Sequence, residues 1–440
     1  MIRKIAVGAG ALGASLFTAT AAFAQEAAEV AAPVPNPGNN AWMMTSTILV
    51  LMMILPGLAL FYGGLTRSKN MLSTMTQIGA IACLAMLVWI MWGYGMAFGP
   101  EGNAFVSWGK FFLAGVTSDS TAATFSDEVI SEYVFICFQM TFAAITAALV
   151  LGSTVERIKF SAVMVFGIVW LTIVYFPIAH MVWAGGGLFF EMGALDFAGG
   201  TVVHINAGVS ALVAAIILGK RKGFPEEPMP PHSLTLTMVG AGLLWVGWFG
   251  FNAGSELEAD GTAGLAMINT FVATAAAALF WMLTERAMGH KGSALGFASG
   301  LVAGLVAVTP AAGNVSVFGA VVLGAVASII CFFAVSKLKP MFGYDDSLDA
   351  FGIHGIGGMI GAIGTGILHD PMFGGPGDGS VSLASQVGIQ AAAVGTTIVW
   401  AAIGTVVAIF VAKLVTGLRV SDQVEQEGLD IGEHGERAYN

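Results

Sequence analysis

The sequence carries very little charge. Only 10% of its 440 residues are Asp, Glu, Lys or Arg, whereas soluble proteins typically carry roughly 25%. Hydrophobic residues make up 56% of the chain. This composition excludes a soluble globular protein, a disordered chain and a basic protein that binds nucleic acid. It indicates that most of the chain lies in a lipid bilayer.

Cysteine is also scarce. Cys83, Cys137 and Cys331 lie in apolar stretches, and their spacing fits neither a disulfide framework nor a zinc site. We predict that all three are small, buried hydrophobic residues. The sequence contains neither a phosphate-binding loop nor an activated nucleophile. We therefore expect neither an enzyme nor a protein with a cofactor.

The N-terminus has the three parts of a secretory signal peptide. Arg3 and Lys4 precede an apolar run, and Ala22-Phe23-Ala24 supplies the small residues of a cleavage site. We predict cleavage after Ala24. Residues 25–41 then form a polar leader outside the membrane. The alternative is that the apolar run stays as an additional membrane helix.

Uncharged stretches long enough to cross a bilayer follow the leader. A membrane helix needs about 20 apolar residues, and the turn-prone sequence at Pro310 divides one run that is too long for a single helix. We predict an all-α polytopic membrane protein whose eleven transmembrane helices form a domain over residues 42–418. The predicted spans are 42–64, 74–98, 133–154, 160–184, 201–219, 234–254, 262–283, 293–309, 316–336, 350–368 and 385–411.

The positions of Lys and Arg give the orientation of these spans. Arg3 and Lys4 belong to the predicted signal peptide, and of the remaining basic residues only Lys110 falls in a loop after an even-numbered span. Basic residues concentrate on the cytoplasmic side. The sequence therefore predicts an N-terminus outside and a C-terminus inside. Residues 419–440 form a cytoplasmic tail.

Two histidines occupy matching places in the two halves of the chain. His204 lies in predicted span 5 and His354 in predicted span 10. Five plus five spans of opposite orientation form the inverted repeat of many transporters, with span 11 as an addition. If the histidines meet in the middle of the membrane, they make a polar strip in an apolar path. Two isolated histidines, each bonded to a backbone carbonyl, are the alternative. Asp196 and Asp349 are acidic residues near the starts of these spans.

Aromatic residues recur on single helix faces. Trp248, Phe251 and Ser255 are spaced i, i+3, i+7, and Phe138 and Phe142 are spaced i, i+4. Aromatic faces beside a hydroxyl are suited to a small cation. Ordinary packing or an interfacial aromatic belt is the alternative.

Four stretches together resemble the ammonium transporter family (Amt/MEP/Rh), and specifically its bacterial Amt type. They are PGLALFYGG at 56–64, DFAGGTVVH at 196–204, WFGFNAGS at 248–255 and FGIHG at 351–355. The resemblance extends from about Trp42 to Tyr439. It implies a homotrimer with one pore in each subunit, located in the inner membrane of a bacterium.

The same resemblance assigns roles to individual residues. His204 and His354 match the twin histidines of the pore. Phe142 and Phe251 match a stacked gate, and Asp196 matches an acid required for transport. Phe138, Phe142, Trp183, Trp248 and Ser255 match the outer site that recruits ammonium.

These matches imply a transporter for ammonium or ammonia. NH4+ is recruited outside and loses a proton, and NH3 then crosses an apolar pore lined by the twin histidines. Passage of NH3 alone and passage of NH3 with a proton relayed separately by the histidines are both open. The tail is expected to regulate transport and a PII-type signal protein to bind at the cytoplasmic face, whereas composition alone suggests a merely solvated tail. An ammonium sensor with little transport and a neutral-gas channel of the Rh type are the alternatives.

Overall fold

The computed structural model describes residues 33–439. The predicted signal peptide and the first part of the predicted leader lie outside these residues. Within them are eleven helices long and apolar enough to cross a membrane, as predicted. They are α1 Pro37–Leu65, α2 Ser68–Phe98, α3 Glu132–Ser153, α4 Phe160–Glu191, α5 Gly200–Leu218, α6 Leu234–Glu256, α7 Gly261–Ala287, α8 Ala294–Ala311, α9 Val317–Phe342, α10 Phe351–Leu368 and α11 Leu383–Thr416.

Capping explains where several helices begin and end. The side chain of Asn36 accepts hydrogen bonds from the Gly38 and Asn39 amides, and Pro37 occupies the first turn of α1. Helix α1 therefore begins within the stretch predicted as leader. Helix α11 ends at Gly417, whose φ of 70° suits glycine. Neither cap is apparent from hydrophobicity, which determined the predicted spans. Helices α1 and α11 therefore extend beyond those spans.

Irregular helical turns recur in the two halves of the bundle. Helices α3 and α8 both end in a 3₁₀ turn, α4 and α9 both contain a π turn, and α5 and α10 both begin with one. The members of each pair are five helices apart, so they cross the bundle in opposite directions. This correspondence supports the predicted inverted repeat of five plus five helices.

The loops gather on two faces, as the charge pattern predicts. Loops after odd-numbered helices and residues 417–439 contact one another: the Arg67 amide donates to Glu156, and the Lys159 amide donates to the Leu418 carbonyl. We call this surface the inner face. Loops after even-numbered helices and the N-terminus of α1 form the opposite outer face, where the Ser131 amide donates to Asn40.

The loop between α2 and α3 is not helical. It contains two small antiparallel hairpins, β1 Glu101–Gly102 with β2 Ser107–Trp108 and β3 Thr121–Ala123 with β4 Val129–Ser131. The two ring nitrogens of His180 lie 2.8 Å from the carbonyl oxygens of Ala97 and Asn103 and attach this loop to α4. The all-α description therefore holds for the bundle and not for this loop.

The cysteines divide between the inside and the outside of the bundle. Cys331 is buried, as predicted, but Cys83 and Cys137 are exposed on the outer surface of their helices. The prediction was wrong for these two because a helix in a bilayer presents apolar residues to lipid as well as to its neighbours. An apolar stretch therefore does not show which of its residues are buried.

A chain of largely buried ion pairs joins four loops of the inner face. The Arg221 guanidinium lies 2.9 Å from a Glu156 oxygen and 2.8 Å from an Asp345 oxygen, and Arg67 lies 2.8 Å from Glu156. Burial alone would raise the pKa of the Glu156 carboxyl, but Arg221 and Arg67 outweigh it and hold the pKa below its ordinary value. Glu156 is therefore charged in the folded protein, and the network depends on its charge.

We predict that Glu156→Gln strongly destabilises the protein. It removes the buried charge that Arg67 and Arg221 share, while Arg221 keeps its ion pair with Asp345, so we expect a loss of about 3 kcal/mol, the lower end for breaking a buried pair. The measurement is thermal unfolding in detergent, with the exposed Glu226→Gln as the control that removes an equal charge. Because the folded pKa of Glu156 is depressed, the stability it contributes is present above the ordinary pKa of 4.5. That contribution is lost as the pH falls through the folded value. Equal unfolding temperatures for the two variants at pH 7 would contradict the prediction.

Candidate functional site

The two predicted pore histidines lie side by side inside the bundle. The Nδ1 atoms of His204 and His354 are 3.3 Å apart, and the rings are nearly parallel at a centroid distance of 5.3 Å. Both residues are buried. The structure therefore has the paired arrangement rather than two isolated histidines. The buried Nε2 atom of His204 has no hydrogen-bond partner among residues 33–439, so it is free to bind a small molecule in the bundle.

Asp196 fixes the start of the helix that carries His204. Its carboxylate accepts hydrogen bonds from the amides of Gly199, Gly200, Thr201 and Val202 and from the Thr201 hydroxyl. These are amides that the first turn of a helix leaves unpaired. Burial raises the pKa of the Asp196 carboxyl, against the effect of these hydrogen bonds. Asp196 thus has no free oxygen directed at a ligand, and its contacts hold α5 in place.

Asp346 performs the same task for the helix that carries His354. Its two oxygens accept from the amides of Ala350 and Phe351, at 3.0 and 2.8 Å. Asp349, the acidic residue that the sequence places nearest the start of this helix, pairs instead with Lys339 at 2.7 Å. The missed signal is the spacing, because the aspartate lies eight positions before the histidine in both halves.

A stacked pair of phenylalanines separates the histidines from the outer face. The rings of Phe142 and Phe251 lie 4.2 Å apart, centre to centre, and are inclined by only 11°. Phe251 is 6.1 Å from the His204 ring. Trp248 stacks on His204 at 5.4 Å, and its indole N–H donates to the Thr309 hydroxyl at 2.9 Å. Trp248 therefore lies beside the histidines.

A cavity of about 370 Å³ lies on the outer side of the phenylalanines. We call it the outer cavity. Of the five residues predicted to recruit ammonium, Phe142, Trp183 and Ser255 are on its wall. Phe138 is fully buried next to Phe142, at a centroid distance of 4.8 Å. The wall is completed by Phe98, Phe125, Phe135, Gln139, Val182, Phe190, Ala194, Leu195, Asp196, Phe197, Glu256, Leu257, Thr262 and Asn314.

The hydrogen atoms on two polar groups of this wall are already used. The Trp183 indole N–H donates to the Asp196 carbonyl at 2.9 Å, and the Ser255 hydroxyl donates to the Phe251 carbonyl at 2.8 Å. The Ser255 oxygen keeps lone pairs that accept hydrogen bonds. These two residues therefore offer an aromatic surface and an acceptor oxygen to a molecule in the outer cavity.

A second cavity, of about 510 Å³, lies on the inner side of the histidines. We call it the inner cavity. Ile353, next to His354, is on its wall together with Trp281, Arg221 and Lys339. The outer cavity, the phenylalanine pair, the histidine pair and the inner cavity thus follow one another between the outer and inner faces. This arrangement defines a membrane protein with a histidine pair buried in its helical bundle between two cavities.

Comparison with known proteins places the chain within this class. The model of the Ammonium Transporter Family matches residues 41–439, and the chain belongs to that family. The ammonium transporter of Aquifex aeolicus is 48% identical over 410 residues, covering 92% of this chain and 94% of the relative. The crystal structure of Candida albicans Mep2 aligns with a TM-score of 0.80 at 34% identity, over 88% of this chain and 87% of Mep2.

A further solved structure bears on the role of the protein. It is titled "Sensor Amt Protein" and aligns with a TM-score of 0.82 at 29% identity, over 90% of this chain and 98% of that one. The ammonium transporter fold is thus also found in a protein described as a sensor. The curated relatives at 38–48% identity carry the name of transporters, which favours a transporter over an enzyme.

We predict that Asp346→Asn destabilises the start of α10, and that Asp196→Asn destabilises the start of α5 at least as much, because Asp196 accepts more hydrogen bonds there. Each change replaces a charged acceptor with an amide that has only one acceptor oxygen, at a cost of about 1–3 kcal/mol. Thermal unfolding in detergent measures both. Asp349→Asn is the control three positions away, and it affects only a partly exposed ion pair. A larger loss in Asp349→Asn than in Asp346→Asn would refute the capping role of Asp346.

Proposed function

We propose that the protein transports ammonium across the inner membrane of a bacterium. In this mechanism NH4+ binds in the outer cavity and loses a proton. NH3 passes His204 and His354 to the inner cavity, and the proton crosses separately through the same two imidazoles, so that one positive charge crosses with each molecule. The observation that carries the proposal is the buried histidine pair between two cavities, with an unpartnered Nε2 atom on His204.

The outer cavity is suited to a cation that only donates hydrogen bonds. Trp183 and Phe142 offer aromatic faces, and such faces attract cations. Ser255 offers an oxygen whose own hydrogen is already donated elsewhere. We propose that these three residues contact NH4+. Phe138, which packs against Phe142, and Trp248, which stacks on His204, support them.

The proton leaves because the path beyond the cavity is apolar. Phe142 and Phe251 close the cavity with stacked rings, and a low-dielectric surrounding disfavours the charged form of an amine. Potassium is nearly the same size as ammonium but has no proton to lose, so it stays outside. The phenylalanine pair thus acts as a gate that passes the neutral molecule.

The imidazoles then replace the hydrogen bonds that NH3 loses on leaving water. A neutral imidazole has one donor and one acceptor, and NH3 both donates and accepts. The 3.3 Å contact between His204 and His354 also allows a proton to be shared between the two rings. We propose that Asp196 contributes by holding α5, and thereby His204, in place.

The tail is a candidate regulatory element. Its two short helices, α12 Asp422–Glu427 and α13 Leu429–His434, lie on the inner face. Asp430 accepts hydrogen bonds from the Leu72 and Ser73 amides at the start of α2, and Glu433 accepts one from the Phe160 amide at the start of α4. We propose that residues 419–440 couple cytoplasmic signals to transport, that a PII-type protein binds this face, and that the protein is a homotrimer.

A sensor of ammonium is the second candidate function. The likeness to the solved sensor supports it. Binding in the outer cavity with little flux distinguishes this function from transport. A neutral-gas channel would pass CO2 without needing the acceptor groups of the outer cavity.

We predict that the double variant His204→Ala, His354→Ala abolishes the current that an ammonium gradient drives. It removes the polar groups that replace hydration in the pore. The measurement is electrical recording on purified protein in liposomes, at several pH values, with the exposed His290→Ala as control. A current equal to that of the unchanged protein would refute the role of the pair. Ammonium binding with neither current nor methylammonium uptake in the unchanged protein would favour the sensor.

We also predict that Ser255→Ala weakens recruitment. Loss of one hydrogen bond to a charged group is worth about 1.5–3 kcal/mol, so the half-saturation concentration for methylammonium uptake should rise about tenfold or more. The control is Ser299→Ala, which removes a hydroxyl from the wall of the inner cavity. An unchanged half-saturation in Ser255→Ala would show that the hydroxyl does not contact the ion.

A further inference from the structure

We propose that the carboxylate of Glu256 is the negative charge of the outer cavity and binds the ammonium ion together with Ser255. This inference rests on the function proposed above and deepens it. It assigns the affinity of the outer cavity for ammonium to a negative charge, which the aromatic faces and the Ser255 hydroxyl do not supply.

The end of α6 brings Ser255 and Glu256 onto the same cavity wall. A 3₁₀ turn over Gly254–Glu256 closes the helix, and Leu257 follows in the left-handed region at a φ of 62°. Successive side chains in a 3₁₀ turn diverge by about 120° around the axis. Both Ser255 and Glu256 nevertheless line the outer cavity, because α6 ends at this turn.

Glu256 is buried and unpartnered. Only 8% of the residue is exposed, and it lies on the wall of the outer cavity. Among residues 33–439 no hydrogen bond or ion pair satisfies its carboxylate, whereas its neighbours have partners. The carboxylate therefore faces the cavity without a partner from the protein, which leaves it able to receive a cation that binds there.

The nearby acids are engaged in other contacts. Asp196, on the same wall, accepts five hydrogen bonds from the start of α5. Glu258 accepts from the Ser126 amide at 2.9 Å, and Asp260 accepts from the Ala263 amide at the start of α7. Glu256 is therefore the acid of the described wall that is left to receive a ligand.

The chemistry of this group matches ammonium. An ionised carboxylate only accepts hydrogen bonds, and NH4+ only donates them. Ser255 adds a second acceptor, and Trp183 and Phe142 add aromatic faces. A carboxylate attracts cations from solution before contact as well. Glu256 therefore raises the occupancy of the cavity by a monovalent cation.

The test compares Glu256→Gln with Glu258→Gln in purified full-length protein in liposomes. Both changes remove one negative charge within three positions, but Glu258 is not on the cavity wall. The readout is the ammonium-driven current as a function of ammonium concentration, at low and at high ionic strength. Thermal unfolding checks that both variants fold, and Glu256→Asp provides a variant that keeps the charge.

We expect Glu256→Gln to raise the half-saturation concentration about tenfold, which corresponds to about 1.4 kcal/mol, while the maximal current changes less than about twofold. Glu258→Gln should behave like the unchanged protein. Added salt should raise the half-saturation of the unchanged protein and of Glu256→Asp more than that of Glu256→Gln.

Two results would overturn the proposal. One is an unchanged half-saturation in folded Glu256→Gln. The other is an equal rise in both Gln variants, which would show a general surface charge effect. Failure of the proposed transport function looks different, because the unchanged protein would then give no current or would keep its current without the two histidines.

Discussion

Hydrogen bonds from helix amides to two buried aspartates hold the centre of this protein together. The first amides of any helix have no partner within it, and lipid offers none. Asp196 and Asp346 accept these bonds at the starts of α5 and α10, so both helices begin within the protein. His204 and His354 each follow eight residues later, within the first turns of helices that begin at Gly200 and Phe351. Two helices that run in opposite directions and begin inside the protein therefore bring their histidines to within 3.3 Å of each other.

The low content of charged residues affects the contacts of the inner face and the outer face differently. On the inner face, Arg221 joins Glu156 and Asp345 in a buried network, so basic residues that set the orientation of the chain also hold its loops. On the outer face, amides and carbonyls do this work, as between Gln390 and the backbone of Leu195. An unpaired carboxylate therefore stands out more on the outer face, where few basic groups are available to neutralise it.

The sequence was sufficient for the features that recur with a regular period or composition. Eleven apolar stretches and the bias of Lys and Arg gave the helices and their alternation, and the histidines of spans 5 and 10 gave the pair that the structure brings into contact. Features that depend on tertiary geometry were not accessible. The sequence does not indicate that Cys83 is exposed on the surface of the bundle, or that Trp248 lies beside His204 rather than on the wall of the outer cavity. Asp349 is closer than Asp346 to the start of α10, which makes it the more obvious candidate. Only Asp346, however, lies eight positions before its histidine, as Asp196 does.

In the mechanism that we propose, the outer cavity and the phenylalanine pair have separate tasks: the cavity binds the cation, and the pair excludes any ion that stays charged. Acceptor oxygens and aromatic faces bind any small monovalent cation, so a stronger attraction in the outer cavity increases occupancy by potassium as well as by ammonium. Selectivity must then arise below the cavity, where Phe142 and Phe251 stack at 4.2 Å and leave no polar contact for an ion. Only a cation that becomes neutral by giving up a proton escapes the cost of entering that region. The attraction of the cavity and the apolar barrier beneath it are therefore complementary, because the barrier makes an acidic entrance compatible with selectivity.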